Sequence, residues 1–173
     1  MRTFTLEVEL ELPLPRERVF PFFADAGNLE AITPPWLHFH ILTPRPIPMH
    51  EGALIDYRLR LHGIPIRWRT RIDAWAPPAR FVDRQLRGPY RLWHHTHTFE
   101  ERPATGADGG SAGARTLVRD RVRYAVPGGR LVQRLFVRPQ VDAIFRYRQR
   151  AIARALLGRD LPAYPEPVHS EER

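Results

Sequence analysis

From Thr3 to Leu12 apolar and polar side chains alternate strictly: Phe4, Leu6, Val8, Leu10 and Leu12 share one face, with Glu7, Glu9 and Glu11 on the other. A period of two is that of a strand buried on one side. The pattern then changes to helical spacing between Pro15 and Ile32, interrupted at Asp25, Gly27 and Asn28, which predicts two short helices. The first has no good N-cap and contains Pro21, so it is expected to be irregular. Leu37, Phe39 and Ile41 alternate again, and a Pro-rich connection follows from Pro44 to Gly52. Ile55, Tyr57, Leu59 and Leu61 mark one face of a third strand, Gly63 a tight turn, and Ile66, Trp68, Thr70 and Ile72 the inward face of a fourth.

Two further strands are predicted over Arg80–Leu86 and Tyr90–Glu100, and a seventh over Arg115–Val126 after a Gly- and Ala-rich hairpin loop from Arg102 to Ala114. The segment from Leu131 to about Leu157 is helical in pattern, with a bend or fresh start at Pro139 and a C-cap at Gly158. Val141, Ile144, Phe145, Ile152, Ala155 and Leu156 form its apolar stripe. Residues 1–158 are therefore expected to form one α+β domain, a seven-stranded antiparallel sheet wrapped around a long C-terminal helix. Residues 159–173 are Pro-rich, poor in apolar side chains and expected to be loose.

One strand, two helices, six strands and a long final helix is an order that resembles the START-like superfamily, also called helix-grip or SRPBCC. The segments ITPPWLHFHI, FVDRQLRGPYRLWHHTHTFE and VRDRVRYAVPGG look like a bacterial branch of it. The resemblance covers Thr3 to about Leu157. It implies a helix-grip fold with an internal cavity, and relatives that include polyketide cyclases/dehydratases, coenzyme-Q-binding START proteins and plant hormone-binding proteins. A fold of this kind hosts many tasks, so function has to be argued from side chains.

Strand parity says which polar side chains face inward. Trp93 and Phe99 set the apolar face of their strand, so His95 and His97 point the same way. By the same rule Asp83 and Gln85 follow Phe81, and Asp120 and Tyr124 follow Val118 and Val122. Arg148 sits in the middle of the helix stripe, where an unpaired guanidinium costs several kcal/mol and a partner is required, either Asp83, Asp120 or an anionic ligand group. This makes an inward polar set of Asp83, Gln85, His95, His97, Asp120 and Arg148, walled by Tyr57, Trp68, Trp93, Tyr124 and Phe145. A packed core does not accommodate so many polar groups without a wet cavity or an internal network.

Two readings of that set stand side by side. Asp120 with Arg148 is either a buried salt bridge pinning the helix or a ligand contact, and the histidines either bond internally to the acids or do acid–base chemistry. Two histidines at i and i+2 near an aspartate have zinc-type donors, but the spacing is common and no H-E-x-x-H occurs, so neither metal nor cofactor is expected.

Composition narrows the remaining classes. The chain has no Cys, which excludes disulfides and thiolate chemistry, and no Lys, which excludes a Schiff base. All 27 basic residues are Arg and the net charge is +8, a balance that ordinarily suggests an anionic partner. The arginines alternate along strands instead of clustering with aromatics, so specific nucleic-acid binding is not expected. Eight arginines against Asp142 alone between Arg130 and Arg159 leave transient contact with an anionic membrane as a further expectation. No apolar run reaches the ~18 residues of a membrane span and the N-terminal region alternates, which makes the cytoplasm the expected location. No nucleophile elbow, phosphate loop or dinucleotide fingerprint is present. The expected function is binding or carrying a small, largely apolar ligand (lipid, quinone or polyketide-like), and the alternative is a cyclase or dehydratase working in the same cavity; no catalytic residue is assigned.

Overall fold

The computed structural model describes residues 2–103 and 113–172. The chain runs β1 (Thr3–Leu12), α1 (Arg16–Ala24), a 3-10 turn, α2 (Leu29–Ile32), β2 (His40–Ile41), β3 (Leu54–Leu61), β4 (Ile64–Ala76), β5 (Arg80–Arg87), β6 (Leu92–Arg102) and β7 (Arg115–Ala125). It closes with α3 (Gly129–Val132), one π-helical turn (Gln133–Val137), α4 (Arg138–Leu157) and β8 (Val168–Glu172). The strands form one antiparallel sheet in the order β2-β3-β4-β5-β6-β7-β1-β8. The hairpin loop read between Arg102 and Ala114 lies largely outside the described residues.

The alternation in β1 does what its period requires. Phe4, Leu6, Val8, Leu10 and Leu12 are buried, and the glutamates between them meet arginines of β7 across the sheet. Arg119 bonds Glu9 at 2.6 Å and Glu100 at 2.7 Å, Arg121 reaches Glu7 at 3.2 Å, and Arg123 reaches Glu172 at 3.3 Å. Each exposed pair contributes well under ~1 kcal/mol, yet together they neutralise much of the basic outer face. Between β3 and β4 the turn at His62 and Gly63 has φ of 50° and 80°, the two positive values of a tight hairpin turn whose twist matches the strands.

The first helix forms despite Pro21 because its apolar side is well anchored. Val19, Phe20 and Phe23 are buried, with Phe20 and Phe23 packed edge-on to Phe99 at centroid distances of 5.2 and 5.0 Å. In α4, Pro139 occupies the first turn, where its missing N–H is harmless, and Gly158 ends the helix at φ 69°. The fresh start expected at Pro139 is the beginning of α4 itself, which follows directly on the π turn. The buried face is Val141, Phe145, Gln149, Ile152 and Ala153, so Ala153 takes the place expected of Ala155 and a glutamine lies within the stripe.

The segment expected to be loose corrects the strand count from seven to eight. Val168–Glu172 pairs antiparallel with Thr3–Glu7, covering the edge that β1 would otherwise expose. The connecting stretch straps α4: Gln149 Nε2 donates to the carbonyls of Glu9 and Pro165 at 3.0 Å each, and His169 Nε2 meets Asp142 at 2.5 Å. Low apolar content hid this, because the strap is held by polar bonds to the helix and backbone pairing to the sheet. Among the described residues no helix is long and apolar enough to cross a membrane.

Candidate functional site

Strands β5, β6 and β7 are neighbours in the sheet, and their registers bring the inward polar residues together. Asp83 stands opposite His95, and His97 opposite Asp120. His95 Nε2 and Asp120 Oδ1 are 3.1 Å apart, as are His97 Nε2 and Asp83 Oδ2. Two more contacts cross-link the set: His95 Nδ1 to Asp83 Oδ2 at 3.5 Å, and His97 Nδ1 to Asp120 Oδ1 at 2.6 Å, the latter off the line of a hydrogen bond. The two imidazoles lie 3.8 Å apart between centroids, with Phe81 stacked on the outer side of His97 at 4.1 Å. The histidine side chains are only 4% and 5% exposed, so this is a buried quartet.

Burial penalises every charge here, and the neighbours decide which survive. It pulls His97 down, but Asp120 and Asp83 outweigh it and raise the ring above its ordinary value. His95 is lowered, by burial and by the neighbouring His97 cation. Burial opposes ionisation of Asp120, yet His97 and His95 hold it well below the usual carboxylate range; Asp83 is lowered the same way, with help from Arg148. The balance favours the ionised form of both carboxylates and makes His97 the more basic of the two imidazoles.

Arg148 enters from α4 on the other side of a cavity of ≈ 160 Å³ between helix and sheet. Asp83, His95, His97 and Arg148 line it, as do Tyr57, Trp68, Trp93 and Phe145. Arg148 makes no ion pair among the described residues: its buried Nε has no partner and its guanidinium lies 5.4 Å from the Phe145 ring centre. The salt bridge to Asp120, one of the two readings of that pair, is not formed: both histidines engage that carboxylate, and Arg148 lies across the cavity. On the opposite wall Tyr57 stacks on Trp68 at 5.8 Å, and Thr70 Oγ1 accepts from Trp68 Nε1 at 3.1 Å while sharing a 3.2 Å bond with the Tyr57 hydroxyl. Burial raises the phenols of Tyr57 and Tyr90 far above their ordinary value, so both remain neutral donors.

Eight of the eleven residues proposed from parity line the cavity, and Gln85, Asp120 and Tyr124 do not. Gln85 lies near the strand end, where register shifts in the β4–β5 pairing turn parity unreliable. Its side chain closes the turn by donating to the Tyr90 carbonyl at 2.7 Å. Asp120 stands behind the histidines, while Tyr124 packs into the core beside Phe4 and accepts from Gln133 at 2.9 Å. The lining not foreseen includes Phe23, Leu29, Phe39 and Tyr90. Their apolar character marked them as interior, but periodicity does not separate cavity wall from packed core.

No protein-family model matches the chain, and no curated protein matches its sequence. Solved structures do match it in shape. The ZhuI aromatase/cyclase from Streptomyces sp. R1128 superposes with a TM-score of 0.63 at 16% identity, over 92% of this chain and 99% of that one. Ara h 8.0201 gives 0.59 at 17% identity over 90% and 99% of the two chains, and Ms6760 from Mycobacterium smegmatis gives 0.59 at 17% over 89% and 91%. The chain has the START-like, helix-grip fold.

Proposed function

We propose that the chain binds a small, largely apolar molecule in the cavity between α4 and the sheet, oriented by a polar end made of Arg148, Asp83, His95 and His97. The observation that carries this is Arg148. It brings a positive charge to an aromatic-walled cavity with no carboxylate within ion-pairing distance among the described residues, an arrangement that a polar or acidic ligand group completes. At ≈ 160 Å³ the space is close to the roughly 150 Å³ that accommodates a benzene-sized guest, which favours a compact one- or two-ring quinone- or polyketide-like molecule over an extended lipid chain. Delivery at an anionic membrane is supported by exposed Leu131, Leu135 and Phe136, which sit among Arg130, Arg134 and Arg138.

The second reading is acid–base chemistry on the same guest. It is favoured by the paired histidines at the cavity wall with carboxylates behind them, and by the occurrence of an aromatase/cyclase on this fold.

Native mass spectrometry of the chain purified from its own host tests the first reading, followed by release and identification of the guest. One tightly held apolar compound supports it. Failure of Trp68 and Trp93 fluorescence to respond to any of a panel of one- and two-ring phenols and quinones removes it. With a guest in hand, His95→Ala and His97→Ala distinguish the two readings: turnover disappears if they do chemistry, whereas affinity alone changes in a carrier.

A further inference from the structure

We propose that Asp83, His95 and His97 form a site for a divalent cation of the zinc class, with Asp120 as the carboxylate that orients both imidazoles. The inference goes beyond the binding of an apolar guest and stands whether or not one is bound.

The geometry is the first argument. His97 Nε2 and His95 Nδ1 lie 3.1 and 3.5 Å from the same oxygen, Asp83 Oδ2, and one donor atom from each of the three residues falls within 4.8 Å of the others. Zinc bonds of about 2.0–2.1 Å in a tetrahedron place neighbouring donors about 3.3 Å apart. Both distances to Asp83 already match such an edge, and the two imidazoles lie side by side with ring centroids 3.8 Å apart.

The surroundings are the second argument. The ring nitrogens that face away from Asp83 both face Asp120: His95 Nε2 at 3.1 Å and His97 Nδ1 at 2.6 Å from its Oδ1. A carboxylate behind a ligating histidine sets its tautomer and raises its basicity. Here Asp120 is hydrogen-bonded to His95 in this way, and its 2.6 Å approach to His97 Nδ1 brings the same carboxylate up behind the second ring. Three protein donors leave a fourth position, and all three donor residues line the cavity, so that position opens toward the guest and not toward another side chain.

Tag-free protein stripped by chelator and titrated with Zn²⁺ alone in a calorimeter, and with Co²⁺ in a spectrophotometer, tests the site. The expected result is one equivalent of Zn²⁺ bound at micromolar Kd or tighter, and a Co²⁺ visible spectrum of the intensity that four-coordination produces. His95→Gln and His97→Gln should each weaken Zn²⁺ at least a hundredfold. Asp120→Asn should weaken it roughly 10- to 100-fold with one equivalent still bound. Zn²⁺ binding no tighter than millimolar in the native chain overturns the proposal, as does tight binding that survives both histidine substitutions. Should those variants fail to fold, imidazole nitrogen resonances of the native chain decide: a shift of His95 and His97 on adding Zn²⁺ supports the site, and a shift confined to other histidines overturns it. The tryptophan response to aromatic guests is read separately, so loss of one reading is distinguishable from loss of the other.

Discussion

Replacing Arg148 by methionine separates two accounts of this side chain by several kcal/mol. Methionine keeps most of the aliphatic stem that lies along α4 and removes the guanidinium. In the structure that group has a buried Nε with no partner, a penalty of about 1–3 kcal/mol, set against about 0.5–1 kcal/mol for its position over Phe145 and a modest attraction to Asp83. Arg148→Met should therefore leave stability within about 1 kcal/mol of the native chain or raise it by up to about 2 kcal/mol. For a chain of 173 residues this is a melting shift from slightly negative to about +8 °C. Had Arg148 been half of a buried ion pair with Asp120, the same change would strip Asp120 of its counter-ion and lower stability by about 3–5 kcal/mol. Urea unfolding followed by circular dichroism, with the slope unchanged between variants, reads the difference directly. A loss of about 3 kcal/mol or more would falsify the assignment of Arg148 as a guanidinium without an ion-pair partner. In the same variant, affinity for a guest with an acidic or carbonyl group should fall at least tenfold, the trade of function for stability expected at a binding site.

Asp120→Ala should behave in the opposite sense: it leaves His95 and His97 facing an empty corner, and a loss of about 3–5 kcal/mol is expected by urea unfolding of metal-free protein. Alkaline titration followed by phenolate absorbance should show Tyr57, Tyr90 and Tyr124 silent above the ordinary phenol value of about 10. Their raised folded values mean that the stability they contribute is complete below that pH and is lost as pH rises toward the folded value, so their ionisation should coincide with loss of the circular dichroism signal. Ending the chain after Gly158 removes β8 and the strap, uncovers the β1 edge and opens the amide of Gln149. A lower melting temperature and concentration-dependent association on gel filtration are expected, and an unchanged monomeric elution and melting point would show the strap to be dispensable.

Much of the fold was legible along the chain, because period-two alternation in β1 and β7 and period 3.6 in α4 are local consequences of burying one face. Gly63 and Gly158 announced the turn and the cap because glycine, lacking a Cβ, adopts positive φ at no steric cost. The strand Val168–Glu172 was not legible, because an edge strand paired through its backbone carries no apolar signature.

For the site, parity along each strand was enough to place Asp83, His95, His97 and Asp120 on the inner face. Which partners those groups take depends on how the elements pack. Arg148 and Asp120 both face inward, but antiparallel register puts His97 directly opposite Asp120, while the helix holds Arg148 across the cavity. Short-range electrostatics rewards the nearest opposite charge, and nearness between β6, β7 and α4 is a property of their arrangement in space, not of any one of their sequences.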